Sequence, residues 1–268
     1  MGKKRHPLIR ELWALLLLLL AALGFFWRIL FTPDAWKPAG GGDLVSFLFP
    51  MYRFAAASLR AGELPLWNPH LYGGAPFLAD MQSGLFYPPN LLLFLLAPEF
   101  NYRAMEWMVV FHVFLAGSFM YLCLRYMEPG RSVRMPAALA GATAYMFSDL
   151  FILHFGNLNL VAVAAWLPLI FLLFWRALRT RSLWLAAGAG IAFGVSTLAG
   201  HLQITLFIGL ALVVAAAVEA LTKNDTGHQD GGGGRDWAWS LLVLAITVAV
   251  AIGLAAVVLL PTFEYTQL

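Results

Sequence analysis

The chain has 268 residues, of which 61% are hydrophobic and 12% charged, against about 25% charged residues in soluble domains. A soluble fold cannot hide that much apolar surface, so lipid is the expected solvent. The net charge is +3, and the basic residues fall in short stretches between apolar runs, which argues against nucleic acid as a partner. The single cysteine, Cys123, lies inside an apolar run. It excludes an internal disulfide and reads as a small buried hydrophobe.

A spanning helix needs about 20 mostly apolar residues. Seven segments qualify: 12–31, 104–124, 136–155, 158–175, 183–199, 203–221 and 237–260. The expected fold is therefore all-α, a polytopic transmembrane helical bundle. Gly156 and Asn157 join the third and fourth segments, and Gly200, His201 and Leu202 join the fifth and sixth, so both pairs read as helical hairpins.

An N-terminus on the inside puts Lys3, Lys4, Arg5 and Arg10 in the first inner segment. Arg125, Arg131 and Arg134 follow in the second, Arg176, Arg179 and Arg181 in the third, and Lys223 and Arg235 in the fourth. The two tight outer turns hold no Lys or Arg. Cytoplasmic loops carry such an excess of positive charge, so the expected N-terminus is cytoplasmic and the long segment 32–103 lies on the opposite face. The bacterial cytoplasmic (inner) membrane is the expected location. A cleaved signal peptide is the competing reading of the first segment. Against it, the apolar stretch continues through Phe25, Phe26 and Trp27 with no small-x-small cleavage site after it.

Segment 223–236, with glycines from Gly231 to Gly234, reads as a flexible inner linker. A phosphate loop would need a following Lys-Ser or Lys-Thr and a preceding strand. The chain stops soon after the seventh segment, as expected of the N-terminal part of a longer protein.

The first outer loop, 32–103, is dense in special residues, and long loops of that kind usually carry function. It opens on Gly40, Gly41, Gly42 and Asp43. Asp43 precedes an apolar, helix-compatible stretch over 44–59, where it would serve as an N-cap; a catalytic carboxylate is the competing role. The stretch itself reads as an amphipathic helix in the interface plane, with Arg53 and Arg60 off its apolar face. Proline and glycine density then excludes a regular helix until a short apolar helix over 91–96. Trp67, Tyr72, Phe86 and Tyr87 suit either a headgroup belt or a sugar-stacking surface.

Ionisable groups in or beside spans mark function by default. Glu106, His112, Asp149, His154, His201 and Gln203, with Asp43, His70 and Asp80, all fall toward the outer face or between it and the midplane. Three readings compete: a site with a carboxylate base, a metal site from His70, His154, His201 and an Asp, or polar residues tolerated near water. The histidines lack the i, i+4 spacing that makes a zinc motif specific.

The ordered motifs carry a resemblance. Gly41-Gly42-Asp43, Leu64-Pro65-Leu66-Trp67-Asn68-Pro69, Gly73-Gly74-Ala75-Pro76 and Phe86-Tyr87-Pro88-Pro89-Asn90 resemble the first outer loop of bacterial YfhO-type membrane proteins. Ala144 to Ser148 before His154, Trp166-Leu167-Pro168-Leu169, Gly200-His201-Leu202-Gln203 and Leu259-Leu260-Pro261-Thr262 extend it over nearly the whole chain. That family is similar to the GT-C glycosyltransferases. The resemblance implies a donor sugar on polyprenyl phosphate and transfer at the outer face to a cell-envelope glycan or teichoic acid. It also implies a catalytic acid early in the first outer loop, the place of Asp43.

Such chemistry needs a carboxylate to take the acceptor's proton and positive charge at the leaving phosphate. Arg53, Arg60 and Arg103 are the candidate phosphate contacts, with a divalent metal ion as an alternative source of charge. Trp67, Asn68, His70, His154, His201 and Gln203 are the candidate substrate-binding residues. A transporter or flippase for a lipid-linked intermediate, or a scaffold of an envelope-synthesis complex, are the rival functions.

Overall fold

The computed structural model describes residues 7–33, 35, 42–97, 100–225 and 233–267. Lys3, Lys4, Arg5, Lys37, the Gly40-Gly41 pair and the linker residues 226–232 lie outside the described residues, as do the side chains of Lys223 and Arg235.

The fold is all-helical. Helix α1 (Pro7–Phe25) is continued by a short α2 (Trp27–Phe31), and a π-helical turn at Leu44–Leu48 leads into α3 (Phe49–Arg60). A minimal antiparallel pair, β1 (Trp67–Asn68) and β2 (Ala75–Pro76), precedes α4 (Pro88–Leu96). Then come α5 (Tyr102–Tyr126), α6 (Met135–Met146), α7 (Asp149–Ile152) and α8 (Leu158–Thr180). The chain closes with α9 (Leu183–Thr197), α10 (Leu202–Asp225) and α11 (Gly233–Tyr265).

Among the described residues five helices are long and apolar enough to cross a membrane: α1, α5, α8, α10 and α11. A sixth span forms if α6 and the segment Asp149–Gly156 are taken together across their 42° bend. The fifth predicted segment, 183–199, is different. Its helix α9 has 15 residues, about 22 Å at 1.5 Å per residue, against a hydrocarbon thickness of about 30 Å. It lies against α8 and α11, where Gly190 and Gly194 bring it close to its neighbour. A β-carbon on Gly190 would meet the Thr247 carbonyl oxygen at 2.7 Å, and one on Gly194 the Ala251 oxygen at 3.0 Å. Small residues four apart let helix backbones approach in this way.

Wide apolar faces remain uncovered, including Leu16, Leu17 and Leu20 of α1 and Phe207, Leu210 and Val214 of α10. Exposed apolar surface on this scale is what a bilayer covers. The charged pairs gather at one end of the bundle. Arg125 bridges Glu11 at 2.7 Å, Arg179 bridges Glu219 at 3.1 Å, and Arg181 pairs with Asp236. The opposite end carries the loop 42–97 and the turns at 153–157 and 198–201.

The loop follows much of its sequence expectation. Helices form over α3 and α4, and none longer than the three-residue 3-10 turn Met81–Ser83 lies between them. The N-cap expected of Asp43 is not made. Its own backbone is helical (φ −58°, ψ −32°), and its side chain makes no capping bond. The helix begins one residue earlier, with the Val45 and Ser46 amides donating to the Gly42 carbonyl at 3.1 and 3.0 Å.

Candidate functional site

At the loop end a cavity of about 490 Å³ opens between three parts of the chain that are distant in sequence. The first loop supplies Asn68, Tyr72, Asp80 and Gln82; the turn before α10 supplies Gly200, His201 and Gln203; the end of α11 supplies Thr262 and Tyr265. Met51 of α3 also contributes.

A buried amide network holds these walls in place. The Tyr52 hydroxyl donates to Asn159 Oδ1 at 2.9 Å and accepts from Asn90 Nδ2 at 2.9 Å. Asn90 Nδ2 also donates to the Gly84 carbonyl at 3.0 Å. Asn159 Nδ2 donates to the Gln82 carbonyl at 2.8 Å, with a longer 3.5 Å approach to the Gly200 carbonyl. One asparagine at the start of α8 therefore ties the loop wall to the α9–α10 turn. Gly200 permits the approach: it adopts φ +86°, and a β-carbon there would come within 2.1 Å of the Met81 carbonyl oxygen. A third tie comes from Thr262, whose Oγ1 lies 2.8 Å from both the Ala79 and the Val258 carbonyls.

Two ionisable groups line the cavity besides its tyrosines. Asp80 Oδ1 accepts from the Gln82 amide at 2.8 Å and so caps the 3-10 turn. Burial raises its carboxyl above the ordinary carboxylate range, against a smaller lowering by that amide. Burial chiefly lowers the pKa of His201; a backbone hydrogen bond works in the other direction, and nearby His154 lowers it further. Because the Ile204 amide donates to His201 Nδ1 at 3.4 Å, the neutral ring carries its proton on Nε2. No Lys or Arg lines the cavity among the described residues.

The predicted site residues divide. Asn68, His201 and Gln203 line the cavity, together with Asp80. Asp43 does not. It is exposed, with its Oδ2 taking a long 3.5 Å contact from Asn157 Nδ2. Asn157 in turn caps α8 by accepting from the Leu160 amide at 3.2 Å. His154 is exposed in the turn before α8. His70 is exposed and stands edge-on to Phe54 at 5.9 Å, and Trp67 is exposed and lies over Gly74.

The candidate phosphate contacts lie outside the cavity. Arg103 donates to the Leu30 and Thr32 carbonyls at 3.3 and 2.7 Å, closing the end of the first helical unit. Arg60 donates to the Ala56 and Ala97 carbonyls at 3.0 and 2.9 Å. Helix-end carbonyls left without partners attract such donors. Arg53 is exposed on α3. Among the described residues no three His, Cys, Asp or Glu side chains stand close enough to hold a metal ion, which tells against the competing reading of His70, His154, His201 and an Asp as a metal site.

His112 is buried in α5. Its Nδ1 lies 2.7 Å from the Met108 carbonyl and its Nε2 2.7 Å from the Tyr87 hydroxyl, which also accepts from Trp166 Nε1 at 2.8 Å. A carbonyl only accepts, so Nδ1 donates and the Tyr87 hydroxyl donates to Nε2. Tyr87, just before α4, is thereby tied to His112 of α5 and Trp166 of α8. The sequence offered no role for Tyr52 or Asn159, and Asn90 stood out only as the end of the Phe86–Asn90 motif. The available signal was the pair Asn157 and Asn159 opening an otherwise apolar segment.

The fold and the cavity define a multi-pass, all-helical membrane protein with a polar site at one end of its bundle. Comparison with protein-family models, with curated proteins and with solved structures returns no match to this chain.

Proposed function

We propose that this chain belongs to a membrane glycosyltransferase that moves a sugar from a polyprenyl-phosphate donor to a cell-envelope acceptor. The observation that carries the reading is the cavity. Amide, hydroxyl, carboxylate and imidazole groups from Asn68, Gln82, Gln203, Thr262, Asp80 and His201 converge there with Tyr72 and Tyr265. Amides and aromatic faces suit a sugar ring, and the site stands at the end of a bundle whose flanks suit a lipid carrier. The ordered resemblance to YfhO-type proteins supports the same reading. Asp43, exposed beside Asn157, is assigned as the base that takes the acceptor's proton. The cavity end faces away from the cytoplasm in this reading, in the bacterial inner membrane, because the arginine-rich end would be cytoplasmic. A flippase would place polar groups along a path near the midplane, and there His112 is held by Tyr87 and Met108.

The test compares the parent protein and Asp43→Asn in cells lacking the native copy, at matched membrane levels, with the envelope glycan weighed by mass spectrometry. Loss of one sugar mass with accumulation of the lipid-linked donor is the expected result. Unchanged modification in Asp43→Asn sinks the assignment.

A further inference from the structure

The cavity holds a carboxylate with no counter-charge. Asp80 lines it, and none of the ion pairs among the described residues involves Asp80. Its one hydrogen bond is to the Gln82 amide through Oδ1. Among the forces acting on its carboxyl no cation figures, and burial is the largest. A partly buried carboxylate without a cation is an electrostatic cost that a cationic ligand removes. Around it stand two tyrosines, Tyr72 and Tyr265, both strongly exposed at 88% and 49%, whose ring faces attract cations as well as sugars. His201, the other ionisable neighbour, is pushed toward its neutral form.

We infer that the cavity binds an ammonium-bearing sugar, with Asp80 as the partner of its amine and Tyr72 and Tyr265 against its ring. The amide side chains of Asn68, Gln82 and Gln203 supply donors and acceptors for the hydroxyls. The same arrangement rejects anionic sugars, since a uronic acid would meet Asp80 with no Lys or Arg beside it. The inference rests on the reading of the cavity as a sugar site and adds the charge of the sugar it takes.

Three probes share one ring and differ in charge: methyl glucosaminide, methyl glucoside and methyl glucuronide. Their binding to the full chain in lipid nanodiscs is read by saturation-transfer difference NMR at neutral pH. The glucosaminide is expected to bind about tenfold more tightly than the glucoside, the effect of one charge-assisted hydrogen bond, and the glucuronide more weakly than either. In Asp80→Asn the glucosaminide falls to the affinity of the glucoside. That variant keeps an Oδ1 acceptor for the Gln82 amide, so the turn stays capped, and its glucoside affinity reports that the cavity is intact. A second variant, Gln203→Glu, adds a carboxylate at the exposed rim and strengthens glucosaminide binding without touching Asp80. Equal or tighter binding of the glucuronide overturns the inference, as does a charge order that survives in Asp80→Asn. Absence of saturable binding by all three also overturns it, and leaves sugar transfer to the separate Asp43→Asn measurement in cells.

Discussion

Asn159 donates to one wall of the cavity and accepts from Tyr52, the hub that also receives Asn90. Replacing it by leucine strips the buried Tyr52 hydroxyl of its acceptor and the part-buried Gln82 carbonyl of its donor. Each orphaned group costs about 1–3 kcal/mol, so Asn159→Leu is expected to lower stability by roughly 2–4 kcal/mol. Denaturant unfolding in detergent micelles, followed by tryptophan fluorescence, reads this directly; an unchanged midpoint would mean the network does not hold the walls. Asp80 makes a pH-dependent contribution of known sign. Its carboxyl is raised by burial, so its stabilising contribution is complete in acid and is lost as pH rises through the raised value. Asp80→Asn should therefore melt higher than the parent at neutral pH, and the gap should close in acid. His201 works in the opposite sense. Its pKa is lowered, so the stability it contributes is present above the ordinary imidazole value and fades as pH falls toward the lowered one. Running Asp80→Asn and His201→Gln in one melting series across pH separates them.

Helix α9 has only 15 residues and packs one side against α8 and α11. Ser182 caps its start by accepting from the Leu185 amide, at 3.4 Å, and the left-handed Gly200 turns the chain soon after its end. Between these, Gly190 and Gly194 seat the helix against the Thr247 and Ala251 carbonyls and the Val250 and Leu254 side chains of α11. A Gly190→Leu substitution has no room, since even a β-carbon would lie 2.7 Å from the Thr247 carbonyl oxygen. Overpacking of this kind costs about 1–3 kcal/mol or more. The variant is expected to reach the membrane in reduced amount and to melt earlier, while Gly188→Leu, where the nearest side-chain atom is 3.8 Å away, should be milder. Equal melting of the two would refute the close α9–α11 packing.

For the whole molecule, orientation decides where the cavity does its work. Cys123 is buried and is replaced by alanine for this purpose. Gln203, exposed at the cavity, and Thr180, exposed at the arginine-rich end, then serve as single cysteine sites. A membrane-impermeant maleimide should label Gln203→Cys in intact cells, and Thr180→Cys only after permeabilisation. The reverse pattern would put the cavity in the cytoplasm and remove the case for extracytoplasmic transfer.

The apolar segments, the non-helical stretch between α3 and α4, and the tight turns at Gly156–Asn157 and Gly200–Leu202 were all legible in the sequence. Each depends on transfer of contiguous residues into lipid or on local backbone chemistry, and both are nearly additive along the chain. Only the tertiary structure decided that α9 joins the arginine-rich end to the cavity end with just 15 helical residues, its Gly190 and Gly194 packed close against α11. The same holds for the site. The Tyr52–Asn159 bond closes over 107 residues and the Thr262–Ala79 bond over 183, so no local pattern could place these residues on one cavity. The sequence singled out Asp43 after its glycines and offered Asp80 only as one of several acidic residues on the same face, but folding left the first exposed beside Asn157 and drew the second into the cavity. Burial and partnership follow from how helices pack, and that distinction exists only in three dimensions.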